Sequence, residues 1–197
     1  MSELSRPSHA GLIPQEDKQS VPHERQAPMH RPKLKLALTT TAAVTALGAL
    51  ALPAQAEERS CRGTLGNITV DNLLVPQGAT CTLNGTYAKG TIKVARGATL
   101  RASAIRVIGN IQAENHRFVS VTGSSRVDGS LQVKQGGGAT VANSIFGSDV
   151  QFFTNAGAIS IRSNRIDGNL QCKENSPAPT GGANVVQGNK EDQCARL

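Results

Sequence analysis

Val107-Ile108-Gly109-Asn110-Ile111-Gln112 returns after twenty residues as Val127-Asp128-Gly129-Ser130-Leu131-Gln132. It drifts to Phe146-Gly147-Ser148-Asp149-Val150-Gln151 and comes back as Ile166-Asp167-Gly168-Asn169-Leu170-Gln171. The phrase is an apolar residue, a variable one, Gly, a small polar residue, a second apolar residue and Gln. Weaker copies extend it outward as Leu65-Gly66-Asn67-Ile68-Thr69, Ala88-Lys89-Gly90-Thr91-Ile92-Lys93 and Val186-Gln187-Gly188-Asn189-Lys190-Glu191. The Gly position falls at 66, 90, 109, 129, 148 (as Ser), 168 and 188, with gaps of 24, 19, 20, 19, 20 and 20. A constant period of this size marks a solenoid, whose repeats bury their apolar faces only against one another.

Each repeat holds a short alternating strand, as in Leu131-Gln132-Val133 or Val150-Gln151-Phe152. Alternate residues face opposite sides. Stacking then predicts an inner ladder of Ile68, Ile92, Ile111, Leu131, Val150 and Leu170, and an outer one of Thr69, Lys93, Gln112, Gln132, Gln151 and Gln171. Second strands begin at Gly78-Ala79-Thr80, Gly97-Ala98-Thr99 and Gly138-Ala139-Thr140, and Gly and Asn at the bends suit left-handed backbone. No stretch has a helical period. The expected fold is all-β, a right-handed parallel β-helix of about six coils of 19–20 residues. A β-sandwich also uses many short strands, but it does not explain the return of one residue type at one phase.

The chain divides into three parts. Residues 1–28 are polar, without apolar periodicity, and read as an N-terminal extension, with Met29 the expected start. Residues 29–56 combine a basic stretch, an apolar run from Leu36 to Leu52 and a terminal Ala54-Gln55-Ala56, the pattern of a signal peptide cleaved after Ala56. Secretion without a membrane anchor is therefore expected, with residues 57–197 as the β-helix domain. Its four cysteines then fall in an oxidising compartment. Cys61 and Cys81 are 20 residues apart and Cys172 and Cys194 are 22 apart, about one coil in each case. Neighbouring coils stack at a distance a disulfide can span. The expected pairs are Cys61–Cys81 and Cys172–Cys194, clamping the first and last coils. Proline at 177 and 179 and Lys190 at an inner-ladder position read as a stop for the last coil, and the longer first repeat as a cap.

The Gly-apolar repeat of residues 64–191 resembles secreted bacterial β-helix repeat proteins and, more remotely, the bactofilins. That resemblance implies a compact β-helix and, for bactofilins, end-to-end polymerisation. Export, disulfides and capped ends set this chain apart from the bactofilin pattern.

The net charge is +7 over the whole chain, with 15 Lys and Arg against 10 Asp and Glu from residue 57 onward. That mild excess suits contact with anionic surfaces. Dispersed cations and 3% aromatics argue against nucleic acid. For a polysaccharide lyase or hydrolase the candidate carboxylates are Asp128 and Asp167, at one phase two coils apart. Each follows an arginine by two positions, Arg126 and Arg165, so solvated ion pairs are the stronger reading and need no catalytic purpose. His116, the one histidine after the signal segment, reads as a surface residue in a polar bend. A threonine array for ice would need more than Thr80, Thr99 and Thr140. No metal ligand set or cofactor motif is apparent. The strongest candidate surface is the outer row Lys93, Gln112, Gln132, Gln151 and Gln171, either bonding along the stack or meeting a repeating polymer. The expected role is non-enzymatic, structural or glycan-binding, with cell-wall or extracellular polysaccharide as partner.

Overall fold

The computed structural model describes residues 57–197, and the N-terminal extension and signal segment lie outside the described residues. The described chain is a parallel β-solenoid of about seven turns, one more than the repeat count suggests, built as three sheets. Sheet A stacks Glu58–Ser60, Asn72–Val75, Ile92–Val94, Ile111–Glu114, Leu131–Lys134, Val150–Phe153, Leu170–Lys173 and Lys190–Asp192. Sheet B stacks Gly63–Leu65, Thr80–Asn84, Thr99–Ser103, Phe118–Thr122, Gly138–Ala142, Ile159–Arg162 and Thr180–Gly182. Sheet C is two residues wide, from Thr69–Val70 through Tyr87–Ala88, Arg106–Val107, Arg126–Val127, Ile145–Phe146 and Arg165–Ile166 to Val185–Val186.

Register confirms the inner ladder from Ile92 onward: Ile92, Ile111, Leu131, Val150 and Leu170 lie in line. The first rung differs from expectation. Leu73, not Ile68, lies under Ile92, and Leu74, not Thr69, lies under Lys93. Ile68 is 36% exposed, and Thr69 pairs with Tyr87 in sheet C. The Gly66 phrase is thus out of phase with the others. Gly90 N bonds Asp71 O at 2.7 Å, and Thr91 pairs with Asn72 at a separation of 19, so no elongated first repeat folds across the end. Thr140 is also displaced from the Thr80–Thr99 row, which continues to Phe118 and Gly138. Thr140 instead follows Ser120.

The repeat glycines have a different cause from the one the bends suggest. A Cβ on Gly129 would lie 2.6 Å from Gly109 O, and one on Gly109 would lie 2.7 Å from Gly90 C. Successive turns touch backbone to backbone at the corner between sheets C and A, and no side chain fits there. Left-handed backbone occurs instead at the other two corners. It falls on Asn115, Gln135, Thr154 and Glu174 between sheets A and B, and on Ala104, Asn143, Ser163 and Ala183 between B and C. Gly and Asn account for only part of these kinks.

The residue after each kink points inward, and in the later turns it is asparagine. Asn155 and Asn175 fill one corner and Asn164 and Asn184 the other, each 6% exposed or less. Asn164 Nδ2 donates to Val141 O at 2.9 Å, and its backbone N donates to Asn184 Oδ1 at 3.1 Å. These side chains supply the hydrogen bonds that the kinked backbone cannot make to itself. Between the corners the interior is aliphatic, with Phe146 and Phe152 as the largest buried side chains.

Both ends finish sheet A's inner ladder with a cation. Arg59 lies against Leu73 at one end and Lys190 against Leu170 at the other. An apolar rung at either place would invite another chain to continue the stack. The disulfides Cys61–Cys81 and Cys172–Cys194 form as expected, with Cα separations of 5.5 and 5.3 Å. Past Cys194 the chain turns back and Leu197 packs against the core.

Candidate functional site

The outward row of sheet A holds Lys93, Gln112, Gln132, Gln151 and Gln171 in register. Its two halves are chemically different. Gln151 Nε2 donates to Gln171 Oε1 at 2.8 Å, and Gln171 Nε2 donates to Glu191 Oε2 at 2.8 Å. Those amides are engaged in holding turn to turn. Lys93 is engaged as well, 3.3 Å from Glu58. Gln112 and Gln132 form no such chain and border a shallow depression of about 600 Å³.

The depression arises because Ala95 takes the outward position that Glu114, Lys134 and Phe153 occupy in later turns. Its rim combines Arg96, Glu114, Asn115 and Lys134 with the two amides. Lys134 Nζ also sits 5.5 Å from the centre of the Phe153 ring, which is half-buried on the same face. Amides and charged groups at fixed spacing beside an aromatic ring are groups that bind sugars, through hydroxyl hydrogen bonds and ring stacking. Arg96, Glu114, Lys134 and Phe153 were not singled out from sequence. They lie two positions past the amide row or beyond it, where residue types vary from turn to turn.

Asp128 and Asp167 occupy one row of sheet C's side, separated by Gly147. Arg126 Nε donates to Asp128 Oδ1 at 2.6 Å, Arg106 stands 3.7 Å from Oδ2, and Arg165 Nε lies 3.3 Å from Asp167 Oδ1. Both carboxylates are held in ion pairs, the arrangement that the Arg-x-Asp spacing suggests.

His116 is not a surface residue. It is 3% exposed at the inward corner position that Asn155 and Asn175 take in later turns. Gly136 follows it in the column, and a Cβ there would come within 2.8 Å of the ring Cγ. The glycine makes room for the imidazole, whose two nitrogens have no hydrogen-bond partner of good geometry. Burial pushes its pKa down to about 4, against a smaller upward pull from the Gly138 backbone. In the unfolded chain the group titrates near 6.5, so between about 6.5 and 4 the unfolded state binds more protons. Stability from this residue is complete above 6.5 and is lost as pH falls toward 4. Urea titrations should show a loss of about 3 kcal/mol over that range. The loss should shrink in His116→Asn, which matches the later turns. An equal loss in the variant would assign the acid sensitivity elsewhere.

Comparison with family models, curated proteins and solved structures returned no match. The bactofilin resemblance therefore rests on the repeat pattern alone. Among the described residues no three His, Cys, Asp or Glu side chains are grouped to hold a metal ion.

Proposed function

We propose that the protein is an exported, non-enzymatic module that binds a polysaccharide strand along sheet A. The observation that carries this reading is the split in the amide row. Gln151 and Gln171 are consumed by the fold, whereas Gln112 and Gln132 face a depression rimmed by hydrogen-bonding groups. Two disulfides suit an oxidising extracellular setting. A strand lying across the turns would meet donors and acceptors about every 4.8 Å, which suits a repeating polymer better than a compact metabolite.

The test is co-sedimentation of the full exported protein with purified insoluble cell-wall polysaccharide. The wild type is expected to pellet with the wall and to stay in solution without it. The double variant Gln112→Ala/Gln132→Ala should bind at least about tenfold more weakly, since each net hydrogen bond contributes about 1 kcal/mol. Gln151→Ala/Gln171→Ala should cost stability and leave affinity within about twofold. Undiminished binding by the first variant would refute the site.

A further inference from the structure

Sheet B turns its own face to solvent, and its chemistry differs from that of the other two. Its central outward row is Thr64, Thr82, Ser120, Thr140, Ser160 and Thr180, interrupted once by Arg101. The whole row emerges only with the register, since Ser and Thr alternate irregularly along it and Arg101 breaks it, although Val119-Ser120-Val121 and Ile159-Ser160-Ile161 match in sequence. No strand of the sheet contains a carboxylate. Its two cations, Arg101 and Arg162, are exposed, and neither takes part in the five ion pairs among the described residues. On sheet C, by contrast, Arg106, Arg126 and Arg165 all have aspartate partners.

We propose that this face is a second binding surface, for an acidic polysaccharide whose sugars carry carboxylates. Serine and threonine hydroxyls both donate and accept, as sugar hydroxyls do, so a row of them matches a glycan in either sense of hydrogen bonding. The guanidinium fork pairs two parallel N–H groups with one carboxylate, and a partner-free arginine on an acid-free face is available for that contact. Arg101 and Arg162 stand three strands apart, roughly 14 Å along the stack, with Ser120 and Thr140 between them. Phe118 lies beside this track with Arg101 5.9 Å from its ring centre, and it offers an apolar plate to the C–H face of a sugar. With sheet A holding one strand and sheet B another, a single molecule bridges two polymer chains. That bridging rests on the sheet A reading, whereas the sheet B site does not.

The test titrates the full exported protein with polygalacturonate, with its methyl-esterified form and with polyglutamate. Polygalacturonate is expected to bind, weakening as salt rises, and the ester at least about tenfold more weakly. Arg101→Ser/Arg162→Ser should lose at least about tenfold with an unchanged melting temperature. Thr140→Val, which keeps the β-branched shape, should lose about threefold. In a Gln112→Ala/Gln132→Ala background, Arg101→Ser/Arg162→Ser should still remove at least about tenfold of the polygalacturonate affinity, so failure at one face is separable from failure at the other. Polyglutamate binding as tight as polygalacturonate would reduce the site to charge attraction and overturn it. So would absent binding, or binding indifferent to the arginine pair.

Discussion

Reduction of Cys61–Cys81 and Cys172–Cys194 is expected to remove about 6 kcal/mol of unfolding free energy, about 3 kcal/mol per bond. The bonds span separations of 20 and 22 residues, and closing loops of that length restricts the unfolded chain by this amount. A domain of this size has a total stability on the order of 10 kcal/mol, so the loss approaches the whole. The position of the bonds adds to their effect. Every interior turn of a solenoid has two neighbours, but each terminal turn has one, and fraying begins there. Cys61 and Cys194 belong to the terminal turns and are buried against the core. Urea unfolding with and without dithiothreitol measures the total, and hydrogen exchange on Cys172→Ala/Cys194→Ala measures one end. That variant should lose protection first in the last turns, while the turns around Ile111 and Leu131 stay protected. A midpoint unmoved by reduction would show that hydrogen bonding alone secures the ends.

Much of this architecture was legible because a solenoid writes its contacts at one sequence period. Leu131 and Val150 share a phase in the sequence and pair in space, and the disulfides follow from spacings of one turn. The errors come from breaks in that period. The Gly66 phrase copies the repeat but sits at the corner between sheets B and C, where Thr86 Oγ1 donates to Gly66 O at 2.8 Å. Local likeness placed Ile68 in the ladder, and packing placed Leu73 there. Thr140 was misplaced because the Gly-Ala-Thr triplet recurs two positions out of register. His116 could not be read as buried, since the feature that admits it is the absent side chain of Gly136, one turn away.

The candidate surfaces were less legible than the fold for a related reason. A ladder residue announces itself by repeating, whereas a binding site needs residues that differ between turns. The amide row was visible as Gln112, Gln132, Gln151 and Gln171, but its division into bonded and open halves depends on Glu191 at the end of the row. Glutamine and glutamate continue one chain of hydrogen bonds there, which leaves the open amides at the opposite half beside Ala95. The sheet B hydroxyl row mixes Ser and Thr and is broken by Arg101, so residue identity hides it and pairing reveals it.

The interior asparagines were present in the sequence at a spacing of 20 and yield the second large effect. Asn175→Ala is expected to cost about 4 kcal/mol. Asn175 Nδ2 donates to Phe152 O at 2.8 Å and to Gln193 Oε1 at 3.0 Å. Its Oδ1 accepts from Asn155 N at 3.1 Å and from Asn155 Nδ2 at 2.9 Å. The methyl of alanine replaces none of these. Phe152 O and Asn155 N are left inside a corner that the left-handed kinks at Thr154 and Glu174 have already turned out of the backbone ladder. Each abandoned buried group costs about 1–3 kcal/mol, and some of that is recovered as the corner relaxes. Asn175→Asp separates acceptance from donation. It preserves an acceptor for Asn155 but sets oxygen against Phe152 O and buries a charge, so it should be at least as damaging as alanine. Asn175→His should fail too, although histidine holds the same corner at 116, because Gln193 stands where Gly136 makes room. Urea midpoints compared with Gln171→Ala, a half-buried change in the outward ladder costing about 1 kcal/mol, decide the matter. If Asn175→Ala costs no more than Gln171→Ala, the corners are held by the backbone kinks, and the asparagines merely occupy them.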